Sequence, residues 1–268
     1  MDIDFESILR RTPPMEPHLD RLSSIEGWLS DEAIDFTSRL FRLQRAANQA
    51  GGVLELGVFK GKYLALLAAL SGGEAPLVGV DAFLARVGEP LEPKWRATAE
   101  QAIRDNVALM IGTERPVTLI GGFTRDVDIS KIVECCPDGY SFISVDAGHE
   151  VDDLVADLGI ATAAAASDAI IALDDVFNPL VPGVAEGVCS YFRDNPSCSF
   201  RPFAICGNKV FLSGAGMHTT YIAYAKWLLH AATDASYIHK SAAVDKQNVG
   251  LGFVPRFLGH EVVTFVWN

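Results

Sequence analysis

The stretch Val53-Leu54-Glu55-Leu56-Gly57-Val58-Phe59-Lys60-Gly61-Lys62 constrains the fold more than any other. Val53 to Val58 is a short apolar run broken by one acid, Glu55. It reads as a buried strand, too short for a stable helix. Gly57 and Gly61 bracket a tight turn, and Tyr63 to Leu70 reads as the helix that follows. A strand passing through a glycine turn into a helix N-terminus is the opening unit of a nucleotide-binding α/β fold. The glycines let backbone approach a ligand, and the helix N-terminus offers free N–H groups. The spacing is G-x-x-x-G with an acid two residues ahead, not the G-x-G-x-x-G of dinucleotide enzymes. Without a ligand, the same glycines would serve strand–helix packing alone.

The rest of the chain repeats the alternation. Leu77 to Asp81 reads as a second strand ending on an acid, Lys94 to Met110 as a helix, and Val117 to Gly121 as a third strand. Gly121-Gly122-Phe123-Thr124 is the turn after it, and Ser130 to Cys136 a short helix. Tyr140 to Asp146 is a fourth strand, and Ala147-Gly148-His149-Glu150 leads into a helix from Val151 to about Ala166. Ala169 to Asp175 is a fifth strand, and Val184 to Arg193 a helix. Phe200 to Cys206 and Lys209 to Ser213, joined by Gly207-Asn208, read as a hairpin. Alternating strands and helices make a mostly parallel sheet, and the hairpin closes it with an antiparallel edge.

Ahead of this core, residues 1–25 carry Pro13, Pro14 and Pro17 and read as an irregular arm. Ser30 caps a helix with Asp31 and Glu32 in its first turn and an apolar stripe of Ile34, Phe36, Leu40, Phe41 and Leu43. Arg86 to Pro93 reads as a loop. Beyond the core, Thr219 to Ala232 reads as a helix and His260 to Trp267 as a late strand. The pattern gives an N-terminal arm and helix (1–50), a core (51–215) and a C-terminal extension (216–268). The extension is a lid or a contact between copies in a homo-oligomer.

The formal charge of −12 disfavours a phosphate backbone as partner. The N-terminus has no basic segment followed by an apolar one, and no run of apolar residues is long enough to span a membrane. A cytoplasmic protein is expected. Its five cysteines form no C-x-x-C pair, which fits free thiols in a reducing compartment.

Ligands of an open parallel sheet sit outside the C-terminal ends of its strands. Four such ends carry candidates: Gly57 with Gly61, then Asp81, then Asp146 with His149, then Asp174 with Asp175. An acid ending the second strand suits ribose hydroxyls; read structurally, Asp81 caps the loop after it. Phe123 could stack on a base, though an aromatic there also suits a core. Three carboxylates close together repel unless a cation neutralises them, and a hard dication such as Mg²⁺ would do so.

The motif E-x-G-x-x-x-G resembles the first motif of class I S-adenosylmethionine-dependent methyltransferases. Asp146-Ala147-Gly148-His149, Asp157-Leu158 and Ile170-Ile171-Ala172-Leu173-Asp174-Asp175 resemble the metal-dependent small-molecule O-methyltransferases related to macrolide-sugar and aminocoumarin enzymes and to cephalosporin-hydroxylase-like proteins. Ala147 stands where glycine is usual, and Ser167-Asp168-Ala169 replaces a glycine pair. The resemblance implies a Rossmann-like methyltransferase fold with a seven-stranded sheet. It implies S-adenosylmethionine held by Glu55, Gly57, Gly61, Asp81, Phe83, Phe123, Thr124 and Asp146. It further implies Mg²⁺ held by Asp146, Asp174 and Asp175, with His149 as general base toward a small-molecule hydroxyl. A nicotinamide-dependent oxidoreductase and a non-catalytic ligand-binding protein on the same fold are the competing readings. For His149, the alternative to catalysis is capping its helix or bridging to Glu150 or Asp152.

Overall fold

A computed structural model describes residues 3–12, 18–49, 51–86, 89–90, 92–231 and 254–265. Eight strands form one sheet: β1 (Gly52–Leu56), β2 (Leu77–Asp81), β3 (Thr118–Gly121), β4 (Tyr140–Val145), β5 (Ala165–Leu173), β6 (Arg201–Cys206), β7 (Lys209–Ser213) and β8 (Val263–Phe265). Their order across the sheet is β8-β6-β7-β5-β4-β1-β2-β3. Every neighbouring pair is parallel except those of β7, which runs antiparallel to β5 and β6. The chain therefore starts at the middle of the sheet, builds outward through β2 and β3, returns to β4 and β5, and closes with the β6–β7 hairpin.

Nine helices flank the sheet among the described residues: α1 (Phe5–Arg10), α2 (Leu19–Ser24), α3 (Asp31–Ala46), α4 (Lys62–Ser71), α5 (Pro93–Ile111), α6 (Ile129–Cys135), α7 (Val151–Ala164), α8 (Gly183–Asp194) and α9 (His218–Ala231). Strand residues alternate between two cores, as the pleat requires. Val53, Phe142, Ile170 and Phe211 face the side covered by α3, α4, α5 and α9. Leu54, Ile143, Ile171 and Leu212 face α6, α7 and α8. Ser30 caps α3 as its sequence implies, its hydroxyl accepting from the Ala33 N–H at 3.2 Å.

The structure departs from the sequence reading at three places. The N-terminal arm is helical in its described parts: Asp4 caps α1, and Phe5, Leu9 and Leu22 are buried. The three prolines that suggested irregularity lie outside the described residues. Within the expected 86–93 loop, Leu84–Arg86 pairs antiparallel with Glu89–Pro90 in a short hairpin. The late strand is split. His260–Glu261 pairs with Arg256–Phe257, while Val263–Phe265 becomes an eighth strand beside β6. Residues 266 and 267 of that expected strand lie outside the described residues. Tyr221 and Tyr224 of α9 are buried in the same core as Phe265. No described helix is long and apolar enough to cross a membrane.

Candidate active site at the strand ends

The glycine turn is shaped by three residues of positive φ: Gly57, Phe59 (φ +50°) and Gly61. Gly57 has φ +85°, and a Cβ there would lie 2.0 Å from the Asp146 carbonyl oxygen. A side chain is thus excluded by conformation and by the close passage of the chain leaving β4. Gly61, at φ +78°, is the N-cap of α4. Between them Phe59 is half exposed and stacks on Trp28, with ring centroids 5.7 Å apart. Lys60 contacts Glu26 from the same N-terminal segment.

Asp81 ends β2 and ties this turn down. Its Oδ2 accepts from the Val58 and Phe59 N–H groups at 2.9 and 2.8 Å, and its Oδ1 from Phe83 N–H at 2.6 Å. Oδ1 keeps a further lone pair, since an ionised carboxylate offers about four acceptor sites. Phe83 is buried and packs in the core, with the Arg96 guanidinium over its ring at 5.2 Å. At the end of β3, Phe123 lies under the Arg125 guanidinium at 5.0 Å, and Thr124 is buried. Asp157, on α7, accepts from the Gly148 N–H at 3.3 Å. Burial lifts its carboxyl to about 6, against the opposing pull of the Thr124 hydroxyl and the Gly148 N–H.

The ends of β4 and β5 bring three of the candidates together. His149 Nε2 lies 3.2 Å from Asp175 Oδ2 and 3.9 Å from Asp146 Oδ1. One ligating atom from each of the three falls within 4.8 Å of the others. His149 has no ion pair with Glu150 or Asp152 among the described contacts, and α7 has Glu150 as its N-cap. Asp175 sits at φ +59°, an uncommon conformation for a residue with a side chain. Its Oδ1 accepts from Asn178 Nδ2 at 2.9 Å and from Asn208 Nδ2, and its N–H donates to Asn208 O at 3.2 Å.

Asp174 lies beside Asp146 but is engaged by a cation. Its Oδ2 accepts from Lys209 Nζ at 2.6 Å and its Oδ1 from the Asp175 N–H at 3.0 Å. The Lys209 side chain is only 3% exposed, and its ammonium stands 4.5 Å from the centre of the Tyr63 ring. Burial alone would lower the Lys209 pKa, but the Asp174 carboxylate, helped by Tyr63 and Asp146, holds it above the ordinary lysine value. Burial, and next the Asp174 carboxylate, push the Asp146 carboxyl well above the usual range. Glu55 lies beneath, one residue before the end of β1. It is raised first by burial and then by Asp146, and its Oε2 has no hydrogen-bond partner.

Lys209, Asn208, Asn178, Asp157 and Arg96 were not among the candidates read from the sequence. A signal existed for Lys209. In Lys209-Val210-Phe211-Leu212-Ser213 it shares the parity of Phe211, so a strand that buries Phe211 buries Lys209 too. The two asparagines carried none, because their role depends on where two loops meet.

No protein-family model and no curated protein matches this chain. Solved structures do match. The O-methyltransferase NovP is 16% identical, with a TM-score of 0.53 over 68% of this chain and 78% of its own. An O-methyltransferase from Bacillus cereus, in complex with SAH, is also 16% identical, with a TM-score of 0.53 over 77% of this chain and 90% of its own. The methyltransferase MycE, in complex with Mg and SAH, is 16% identical, with a TM-score of 0.50 over 78% of this chain and 58% of its own. The likeness is one of fold: this chain has the Rossmann-like architecture of the class I O-methyltransferases.

Proposed function

We propose that this chain is an S-adenosylmethionine-dependent O-methyltransferase acting on a hydroxyl of a small molecule, such as a sugar or secondary metabolite. The observation that carries the reading is the placement of His149 between Asp175 and Asp146, at strand ends adjoining the Gly57–Gly61 turn. The residues fit the cofactor. Asp81 retains an acceptor site that could take a ribose hydroxyl, Phe123 and Thr124 would hold the adenine, and Gly57, Gly61 and Asp146 would hold the amino-acid end. When bound, S-adenosylmethionine supplies an electrophilic methyl group on a sulfonium.

The chain's own part is to orient the acceptor and take its proton. His149 Nε2 stands 3.2 Å from Asp175 Oδ2; with Nε2 protonated, Nδ1 would be the atom that accepts the hydroxyl proton. Asp175, itself held by Asn178 and Asn208, stands against the ring and limits its orientation. Holding acceptor and cofactor in line supplies further rate by proximity.

The magnesium trio implied by the resemblance does not fit this arrangement. Both oxygens of Asp174 are engaged, one by a buried ammonium, and Asp175 has one oxygen taken by two amides.

The test is a thermal-shift panel of S-adenosylhomocysteine, NAD and NADP. A ligand that binds only the folded state raises the melting temperature by mass action. A shift with S-adenosylhomocysteine alone supports the reading. A shift with NAD or NADP instead points to the oxidoreductase, and a shift with none of them overturns the cofactor assignment.

A further inference from the structure

We propose that Lys209 is the built-in cation of this site, occupying at Asp174 the place a divalent ion would otherwise need to fill. The register of the closing hairpin puts it there. Leu173 of β5 pairs with Val210 of β7, which sets Lys209 opposite Asp174 where β5 ends. Its Nζ reaches Asp174 Oδ2 at 2.6 Å and lies 4.5 Å from the centre of the Tyr63 ring. The Tyr63 hydroxyl is itself fixed by Thr37 at 2.9 Å. The ammonium is therefore held between a carboxylate and an aromatic face, out of water, by groups from β5, β7, α3 and α4.

The neighbouring residue of the same hairpin holds the neighbouring aspartate. Asn208 engages Asp175 through its side-chain amide and its carbonyl, while Lys209 engages Asp174. One hairpin tip thus takes up ligand capacity on both acids of the pair. A dication bound to Asp174 would also sit close to a fixed ammonium, and like charges at that range repel.

The inference concerns charge balance and is read out by stability and metal binding, independently of methyl transfer. Failure of S-adenosylhomocysteine to bind would sink the proposed function and leave this proposal standing. Melting temperatures of the full chain, its Asp174→Asn variant and its Lys209→Met variant are compared in EDTA, in MgCl₂ and in MnCl₂. If Asp174 is the partner of Lys209, the Asp174→Asn variant leaves a buried ammonium uncompensated and melts on the order of 10 °C lower in EDTA. If Asp174 is instead a ligand of an unfilled metal site, the same change relieves repulsion and the melting temperature rises. The parent should show no saturable shift with either ion that depends on Asp174; a shift retained in Asp174→Asn belongs to Asp146, His149 and Asp175 and leaves the Asp174–Lys209 pairing in place. Lys209→Met, which frees Asp174, should either gain a shift with MnCl₂ or fail to fold unless MnCl₂ is present. A saturable stabilisation of the parent by Mg²⁺ or Mn²⁺ that Asp174→Asn abolishes, or an Asp174→Asn variant that melts higher than the parent in EDTA, overturns the proposal.

Discussion

His149 and Asp175 come from the loops after two adjacent strands, β4 and β5, and meet with 3.2 Å between Nε2 and Oδ2. That distance has a long-range and a local origin. It follows from the parallel pairing of the strands and from the left-handed turn at Asp175. A base oriented by a carboxylate should matter for the chemical step and little for cofactor affinity. His149→Ala should lower turnover by roughly 10²–10⁴-fold. Calorimetry with S-adenosylhomocysteine should show nearly unchanged affinity. Near-normal turnover in that variant, once an acceptor is in hand, would mean that another group takes the proton.

Asp81 has two duties, and its replacement should show both. It accepts three backbone N–H groups and, in the proposed complex, a ribose hydroxyl. Asp81→Ala should weaken S-adenosylhomocysteine by ~1–3 kcal/mol through loss of a charged acceptor. It should also lower the melting temperature of the ligand-free protein, since the turn N–H groups lose their partner. Unchanged affinity by calorimetry would leave Asp81 with the structural duty alone.

The parallel alternation was legible because buried strands are short apolar runs and the helices have caps and stripes. Asp81, Asp146 and His149 could be placed at strand ends for that reason alone. The engagement of Asp174 was not legible. Adjacent residues point to opposite faces, but which acid turns inward depends on Lys209, thirty-five positions away. The parity of Lys209 with Phe211 places it on a buried face but names no partner for it. The position of β7 between β5 and β6 supplies that partner. Glu55 lies in a run that reads as a buried strand, and it is buried, one residue before the end of β1.

Gly57→Ala tests the close passage of two chains. The added Cβ would meet the Asp146 carbonyl oxygen at 2.0 Å and its carbon at 2.4 Å, both backbone atoms, at φ +85°. Neither atom can rotate away, so the turn or the end of β4 must move. The conformational strain alone is of order 1–3 kcal/mol. The variant should melt well below the parent, and any folded fraction should bind S-adenosylhomocysteine more weakly. A variant with the parent's stability would show that the two loops are more loosely packed than these distances indicate.

Asp157 offers a pH signature. It is fully buried, and its carboxyl is lifted to about 6 from an ordinary 3.8. The folded state then holds this proton more tightly than the unfolded chain does. Below about pH 4 both states are protonated at this position and its contribution is complete. As pH rises from about 4 to about 6 the unfolded chain releases the proton first, so folding becomes progressively less favourable. Above about pH 6 the folded protein carries a buried charge, a deficit of about 3 kcal/mol relative to low pH. Asp157→Asn removes that ionisation while its side-chain oxygen can still accept from the Gly148 N–H. Urea titrations at pH 4 and pH 8 should show the variant gaining on the parent by roughly that amount at the higher pH. Parallel pH profiles for the two proteins would place the Asp157 carboxyl near its ordinary value. In that case Thr124 and Gly148 would be holding it ionised despite its burial.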